Sequence, residues 1–252
     1  MSKVKIVRIW GGLGNQLFQY SFGKYLEESF NLNIIYNIYW FKNSKKRKFV
    51  LQDILELTNP LIDEKENLID LLLNYRSEKL YKFLLKKNIN FLPKKIIGYW
   101  QDIRFAKYLN KNCFKENFFK KDIKLNEEYY VLHFRGDDFY LSKDHLVLDI
   151  DYYQKSIKFF EDKKIYCISD DNKKLDVLMK KLRLNNIEKL ELNELDSFRL
   201  ICNSKGGIAS NSTFCWWAAY LSSSKNWIFP KQWLKKKTLL KQNLYIDDTL
   251  IL

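Results

Sequence analysis

The alternation of apolar and polar positions divides the chain into two halves of unequal clarity. Lys3 to Trp10 alternates and then runs apolar, as a strand does. Gly11-Gly12-Leu13-Gly14-Asn15-Gln16 follows, and Leu17, Phe18, Ser21, Phe22, Tyr25 and Leu26 then recur at helical spacing. The pattern predicts a strand, a glycine turn and a helix, with Asn15 at the N-cap. Asn33 to Tyr39 predicts a second strand, residues 60–92 one or two leucine-rich helices, and Ile96 to Trp100 a short strand. Asn110 to Glu128 is polar, lysine-rich and aperiodic. It sets a domain boundary, giving domains 1–120 and 121–252.

The second half has a firmer rhythm. Five apolar runs, Tyr130–Phe134, Ile165–Ser169, Lys189–Leu192, Gly207–Ser210 and Trp227–Pro230, alternate with helical patterns over Tyr152–Phe160, Leu175–Leu184, Leu195–Cys202 and Thr213–Leu221. Repeated βα units imply an α/β fold with a parallel sheet and right-handed crossovers. Lys235 to Leu252 reads as a terminal helix or tail.

Composition narrows the class. The chain has 252 residues, 46% hydrophobic and 16% aromatic, with eight glycines and three prolines, a globular make-up. No apolar run is long enough to span a bilayer, and the N-terminus is too short and interrupted for a signal peptide. Four scattered cysteines without a CxxC pair fit a reducing compartment, so a cytoplasmic location is expected. The net charge of +14 sits in small lysine clusters such as 45–48 and 235–237. It suits a peripheral anionic membrane surface, but dispersed lysines are also simply solvated faces. No nucleic-acid-binding pattern accompanies them, and no nucleic acid partner is expected.

Three strand ends of the second half turn polar in the same way. They are His133-Phe134-Arg135-Gly136-Asp137-Asp138, Ser169-Asp170-Asp171 and Ser210-Asn211-Ser212-Thr213. Open α/β sheets bind ligands at the carboxyl ends of their strands. Arg135 offers a planar fork for phosphate or carboxylate. Ser210, Asn211 or Ser212 is placed to cap a helix whose N-terminal N–H groups face phosphate. A carboxylate at a neighbouring strand end suits a guanine edge or a ribose. The Gly12-x-Gly14 turn lacks the third glycine of a dinucleotide fingerprint. With two histidines, His133 and His145, and no Cys/His cluster, no metal site is expected. Asp149-Ile150-Asp151 has the form of a metal-binding DxD pair, yet it directly precedes a helical pattern where aspartate caps.

Taken together, Gly11 to Tyr20, His133-x-Arg135-x-x-Asp138, Asp151-Tyr152-Tyr153, Ser169-Asp170-Asp171 and Ser210-Asn211-Ser212-Thr213-Phe214-x-Trp216-Trp217 resemble the family 11 glycosyltransferases, the α-1,2-fucosyltransferases, in the family's order. The resemblance implies a GT-B-like fold of two Rossmann-type domains facing each other across a cleft, the first on the acceptor side and the second binding the donor. It implies GDP-β-L-fucose as donor, a galactose-terminated glycan as acceptor, and inverting transfer to a galactose 2-hydroxyl without a metal or other cofactor. Donor binding then falls to Gly12, Gly14, Asn15, Gln16, Arg135, Asp170, Asp171, Ser210, Asn211, Ser212 and Thr213. Arg135 is expected to neutralise the departing diphosphate; Asp138, Asp137 and His133 are the candidates for the base, the alternative being that a carboxylate beside Arg135 only orients it. The chain departs from the pattern at Gly136, where many members carry a second arginine, and its N-terminal half is short. The alternatives are another GDP-deoxysugar donor, a non-catalytic relative, and a basic nucleotide- or nucleic-acid-binding protein.

Overall fold

The computed structural model describes residues 4–65, 93–120, 125, 128–136, 143–182 and 186–252. The helices expected within 60–92 fall largely outside these residues. The chain forms two compact units, Met1–Lys115 and Glu116–Leu252.

The first unit is built on four parallel strands: β1 (Val4–Arg8), β2 (Asn33–Asn37), β3 (Leu61–Ile62) and β4 (Lys95–Ile96), in the order β3-β2-β1-β4. The long helix α1 (Leu13–Phe30) follows β1, with short helices α2 (Leu51–Ile54) and α3 (Ile103–Ala106) beside it. Leu17, Phe18, Tyr20, Phe22 and Leu26 of α1 are buried, so the predicted apolar spacing is the packed face. Gly11, at φ +81°, makes the turn into the helix, a conformation that costs other residues. Gly12, not Asn15, occupies the N-cap. Asn15 N–H and Gln16 N–H both bond to Gly12 O, at 3.0 and 3.1 Å, which places Asn15 inside the first turn.

The second unit carries β5 (Tyr130–Phe134), α4 (Ile150–Ile157), β6 (Ile165–Ser169), α5 (Asn172–Leu182), β7 (Ile187–Lys189), α6 (Glu194–Asn203), β8 (Gly207–Ile208), α7 (Thr213–Leu221) and β9 (Trp227–Phe229). The third strand begins two residues before the sequence pattern places it. Residues 232–252 correct the expectation of a helix or tail. They hold an antiparallel pair, β10 (Gln232–Leu234) with β11 (Lys237–Thr238), and a last strand, β12 (Leu250–Ile251), parallel to β9. Two-residue strands bury too few side chains to leave a period, and the lysines of the pair hide it. The six-stranded sheet runs β12-β9-β8-β5-β6-β7, all parallel. One face of it packs Leu132 and Phe134 against Tyr152, Tyr153 and Ile157 of α4 and Leu175 and Leu178 of α5.

No helix among the described residues is long and apolar enough to cross a membrane. One α1 contact yields a test. Glycine inside a helix ordinarily costs about 1 kcal/mol relative to alanine. At Gly23, however, an added Cβ would overlap Tyr36 Oη and stand 2.6 Å from Cε1 of the same ring. That ring is wholly buried and donates to Tyr20 O at 2.8 Å. Overpacking of this kind costs roughly 1–3 kcal/mol. Gly23→Ala should therefore lower stability in denaturant unfolding, against helix propensity, and an unchanged or higher midpoint would refute the packing argument.

Candidate functional site

In the six-stranded sheet the chain leaves β5 towards β6 and β7, then returns to β8 on the other flank of β5. The loops leaving the carboxyl ends of β5 and β8 must therefore part, and such a reversal opens a ligand crevice. The polar strand ends of the second half gather at this point.

Parallel register decides which of them meet. Phe134 pairs with Ser169, so the next residues on each strand, Arg135 and Asp170, come side by side. Arg135 Nη1 lies 2.6 Å from Asp170 Oδ2, and Asp170 Oδ1 accepts the Gly136 N–H at 3.0 Å. One carboxylate thus fixes both the guanidinium and the backbone of the turn that carries it. The arginine side chain is 14% exposed, so the pair is screened less than a surface ion pair. Asp170, expected at a guanine or ribose, is in the fold the anchor of Arg135. Asp171 has a different occupation. Its N–H bonds to Ser169 Oγ at 2.8 Å, and its own Oδ1 accepts the Lys174 N–H at 3.2 Å, which caps α5.

Gly136 is set by space. A Cβ there would stand 2.8 Å from Asp171 Cβ and 3.1 Å from a ring carbon of Phe134. The second arginine common in the family that the motifs resemble has no room while Asp171 holds this position. Asp137 and Asp138, two of the expected base candidates, lie outside the described residues.

His133 is 5% exposed on β5, its Nδ1 2.7 Å from Ser210 Oγ and its ring beside Phe214. Burial, reinforced by the charge of Arg135, pushes the imidazole down to about 3. A general base needs access to its proton and a pKa near the working pH. His133 has neither, and instead ties β5 to the segment after β8. Asn211, also buried, donates to Leu146 O at 2.8 Å and Trp233 O at 2.9 Å, holding two loops together. Ser212 takes the N-cap position of α7, but its side chain makes no capping hydrogen bond. Thr213 begins the helix, and Trp216 anchors it by donating Nε1–H to Leu244 O at 2.6 Å. Of the Ser210–Thr213 run, Ser210 and Asn211 therefore have structural duties. The crevice retains Arg135 and the start of α7.

Gly12, Gly14, Asn15 and Gln16 belong to the other unit. Gln16 is buried, with Nε2 donating to Gly11 O and Lys48 O and Oε1 accepting from Val50 N–H. It braces the glycine turn against residues 48–50. Asn15 Oδ1 accepts from Gln101 Nε2 at 3.1 Å, and Gly14 is buried within the helix. Gln19, absent from the residues that the motifs single out for binding, is wholly buried. It accepts the Trp10 N–H at 2.9 Å and donates to Gly98 O at 3.3 Å, bridging the ends of β1 and β4. A glutamine among apolar helix positions is the signal that could have found it. The DxD pair resolves as a cap: Asp149 Oδ1 accepts the Tyr152 N–H at 3.0 Å. Among the described residues no three His, Cys, Asp or Glu side chains cluster to hold a metal.

No family model matches the chain. It is 27% identical to the O-antigen biosynthesis glycosyltransferase WbnK of Escherichia coli, over 94% of this chain and 98% of that one. It is 25% identical to an α-1,2-colitosyltransferase of Escherichia coli, over 94% of each. Among solved structures, the fucosyltransferase NodZ from Bradyrhizobium superposes with a TM-score of 0.61 at 11% identity, covering 88% of this chain and 94% of that one. The heptosyltransferase WaaC of Escherichia coli gives 0.51 at 8% identity, covering 98% and 92%. Over nearly its whole length the chain is similar to an O-antigen biosynthesis glycosyltransferase and to a colitosyltransferase, so it is a glycosyltransferase, and its α/β fold with parallel sheets is that of the GT-B glycosyltransferases.

Proposed function

We propose that the chain is a metal-independent inverting glycosyltransferase. It moves L-fucose, or another deoxyhexose such as colitose, from a GDP-sugar to the 2-hydroxyl of a galactose in a cell-surface glycan. The observation that carries this reading is the partly buried Arg135, fixed by Asp170 at the reversal point of a parallel sheet. The full-length relation to an O-antigen transferase and a colitosyltransferase supports the substrate class.

In the proposed reaction the galactose oxygen attacks the anomeric carbon as the bond to the β-phosphate oxygen breaks. Negative charge grows on the departing GDP. Donors already fixed before the reaction stabilise that charge without reorganising, and such preorganisation is usually the main source of an enzyme's rate enhancement. Arg135 is such a donor, because Asp170 holds its guanidinium in place. The backbone N–H groups at the start of α7 add the positive end of a helix dipole. The hydroxyl proton passes to a carboxylate, Asp138 or Asp137, since His133 is buried and poorly basic. Turnover with GDP-fucose and GDP-colitose over a panel of galactosides tests the reading; no transfer and no GDP binding would overturn it.

Arg135→Lys keeps the charge and loses the fork, and should raise the barrier by roughly 2–4 kcal/mol with the fold retained. Asp170→Asn should lower kcat by less than Arg135→Lys, by loosening the guanidinium. Wild-type turnover in both variants would remove the clamp. Activity should also survive EDTA, because Asp149 serves α4 as its cap. Loss on chelation with recovery in Mn²⁺ would instead make Asp149 and Asp151 metal ligands.

A further expected outcome concerns acid. His133 is neutral in the fold, whereas in the unfolded chain it takes up a proton near its ordinary 6.5. The native state thus binds fewer protons below that value. The stability attached to His133 is complete above about pH 6.5 and is lost towards pH 3, about 2 kcal/mol of it by pH 5. Denaturant midpoints from pH 7 to 5 should fall more steeply for the wild type than for His133→Asn. Any acid limb of kcat/KM should persist in that variant, and its disappearance would reinstate His133 as the base.

A further inference from the structure

The first sheet has a reversal of its own. Its order β3-β2-β1-β4 takes the chain from β1 out to β3 and back to β4 on the far flank of β1. The segments leaving β1 and β4 part here as those leaving β5 and β8 do. Val7 pairs with Ile96, and three residues further along each segment Trp10 stands level with Tyr99. Their rings stack with centroids 4.8 Å apart and planes 16° from parallel. Arg8, two residues before Trp10 and so on the same side of the strand, places its guanidinium 4.8 Å from the centre of the Trp10 ring.

This stack is held from below. The buried Gln19 side chain joins the Trp10 N–H to the Gly98 carbonyl and so sets the spacing of the two segments. Trp100 has φ +55°, a left-handed backbone that a bulky aromatic residue rarely adopts. Its ring is wholly buried and lies flat on Phe22 at 3.9 Å. With Trp100 locked inward, Tyr99 stays turned outward and 43% exposed. Strain of this kind persists only where the surroundings impose it, and it collects at ligand sites. Planar donors follow in the same segments, with Gln101 two residues past Tyr99 and Arg47 beside Gly12, itself two residues past Trp10. Gln101 and Asn15 are bonded to each other, and the Arg47 guanidinium carbon lies 3.7 Å from where a Gly12 side chain would begin.

We infer that Trp10 and Tyr99 form a carbohydrate subsite that takes a pyranose ring of the acceptor glycan, an assignment that rests on the transferase function proposed above. A pyranose has an apolar face of C–H groups and a rim of hydroxyls, the complement of an aromatic platform bordered by guanidinium and amide groups. The face of the ring lies on the exposed Tyr99, and the hydroxyls meet Arg8, Gln101 and Arg47. The other flat ligand at hand, the guanine of the donor, is separated by experiment.

The test uses lactose and methyl β-D-galactopyranoside as acceptor probes and GDP as donor probe. Tyr99→Ala should raise the KM for lactose about five- to tenfold, while Tyr99→Phe, which keeps the ring, stays near wild type. GDP affinity by calorimetry should change less than about twofold in Tyr99→Ala, because a pure acceptor subsite leaves donor binding alone. Phe159→Ala, at an aromatic residue 58% exposed in the other unit, controls for loss of any surface ring and should leave the lactose KM unchanged. An unaltered KM in Tyr99→Ala overturns the subsite. A loss of GDP affinity equal to the rise in KM assigns the platform to the base and also overturns it. If no galactoside is turned over, the transferase reading falls, and the subsite is judged by saturation-transfer NMR on methyl β-D-galactopyranoside. A wild-type signal lost in Tyr99→Ala sustains it, and no wild-type signal refutes it.

Discussion

Parallel strands cannot be joined by a tight turn, and the layout of this molecule follows from that constraint. Each strand must hand the chain to a crossover before the next can pair. A sheet that grows first on one flank and then on the other has one place where neighbouring exits diverge. Both sheets here grow that way, about β1 and about β5. Each reversal carries side chains whose neighbours are fixed by strand register instead of by local sequence. At β5 these are Arg135, His133 and Ser210; at β1 they are Trp10 and Tyr99.

Register also marks the boundary of what the sequence discloses. The βα rhythm of the second half is readable because buried strands and amphipathic helices leave different periods, and α7 begins and ends where the pattern places it. That three strand ends turn polar is readable too. Which of those ends touch is not, because pairing Phe134 with Ser169 rather than with a residue one step away leaves no trace in either segment. Asp170 therefore looks like a ligand group in the sequence and proves to be a partner of Arg135 in the fold. Asn211 and Gln16 have structural duties that are hidden for a related reason. An amide in a motif reads as a ligand group, yet buried loops need donors and acceptors for their own backbone, and both side chains meet that need.

Charge acts here at two scales. The net +14 is dispersed along the chain in many lysines, and charges that reach solvent are diluted by water and salt. The electrostatics that shape the site come from few groups held out of water. Arg135 is fixed by one carboxylate, and His133, nearly fully buried beside that arginine, does not gain its proton until strongly acid pH. Two cations so close together would repel in a poorly screened setting, so the sheet keeps the charge on the arginine and leaves the imidazole neutral.

Gly136 ties the end of β5 to the helix that follows β6. Its side chain is absent because Asp171 occupies the space, and Asp171 is committed to the first turn of α5. An arginine cannot enter at 136 until Asp171 has shifted, and that shift uncaps α5. The two positions are therefore coupled through packing. The space beside Arg135 and the first turn of α5 are thus one packing problem, and neither can be altered without a cost at the other.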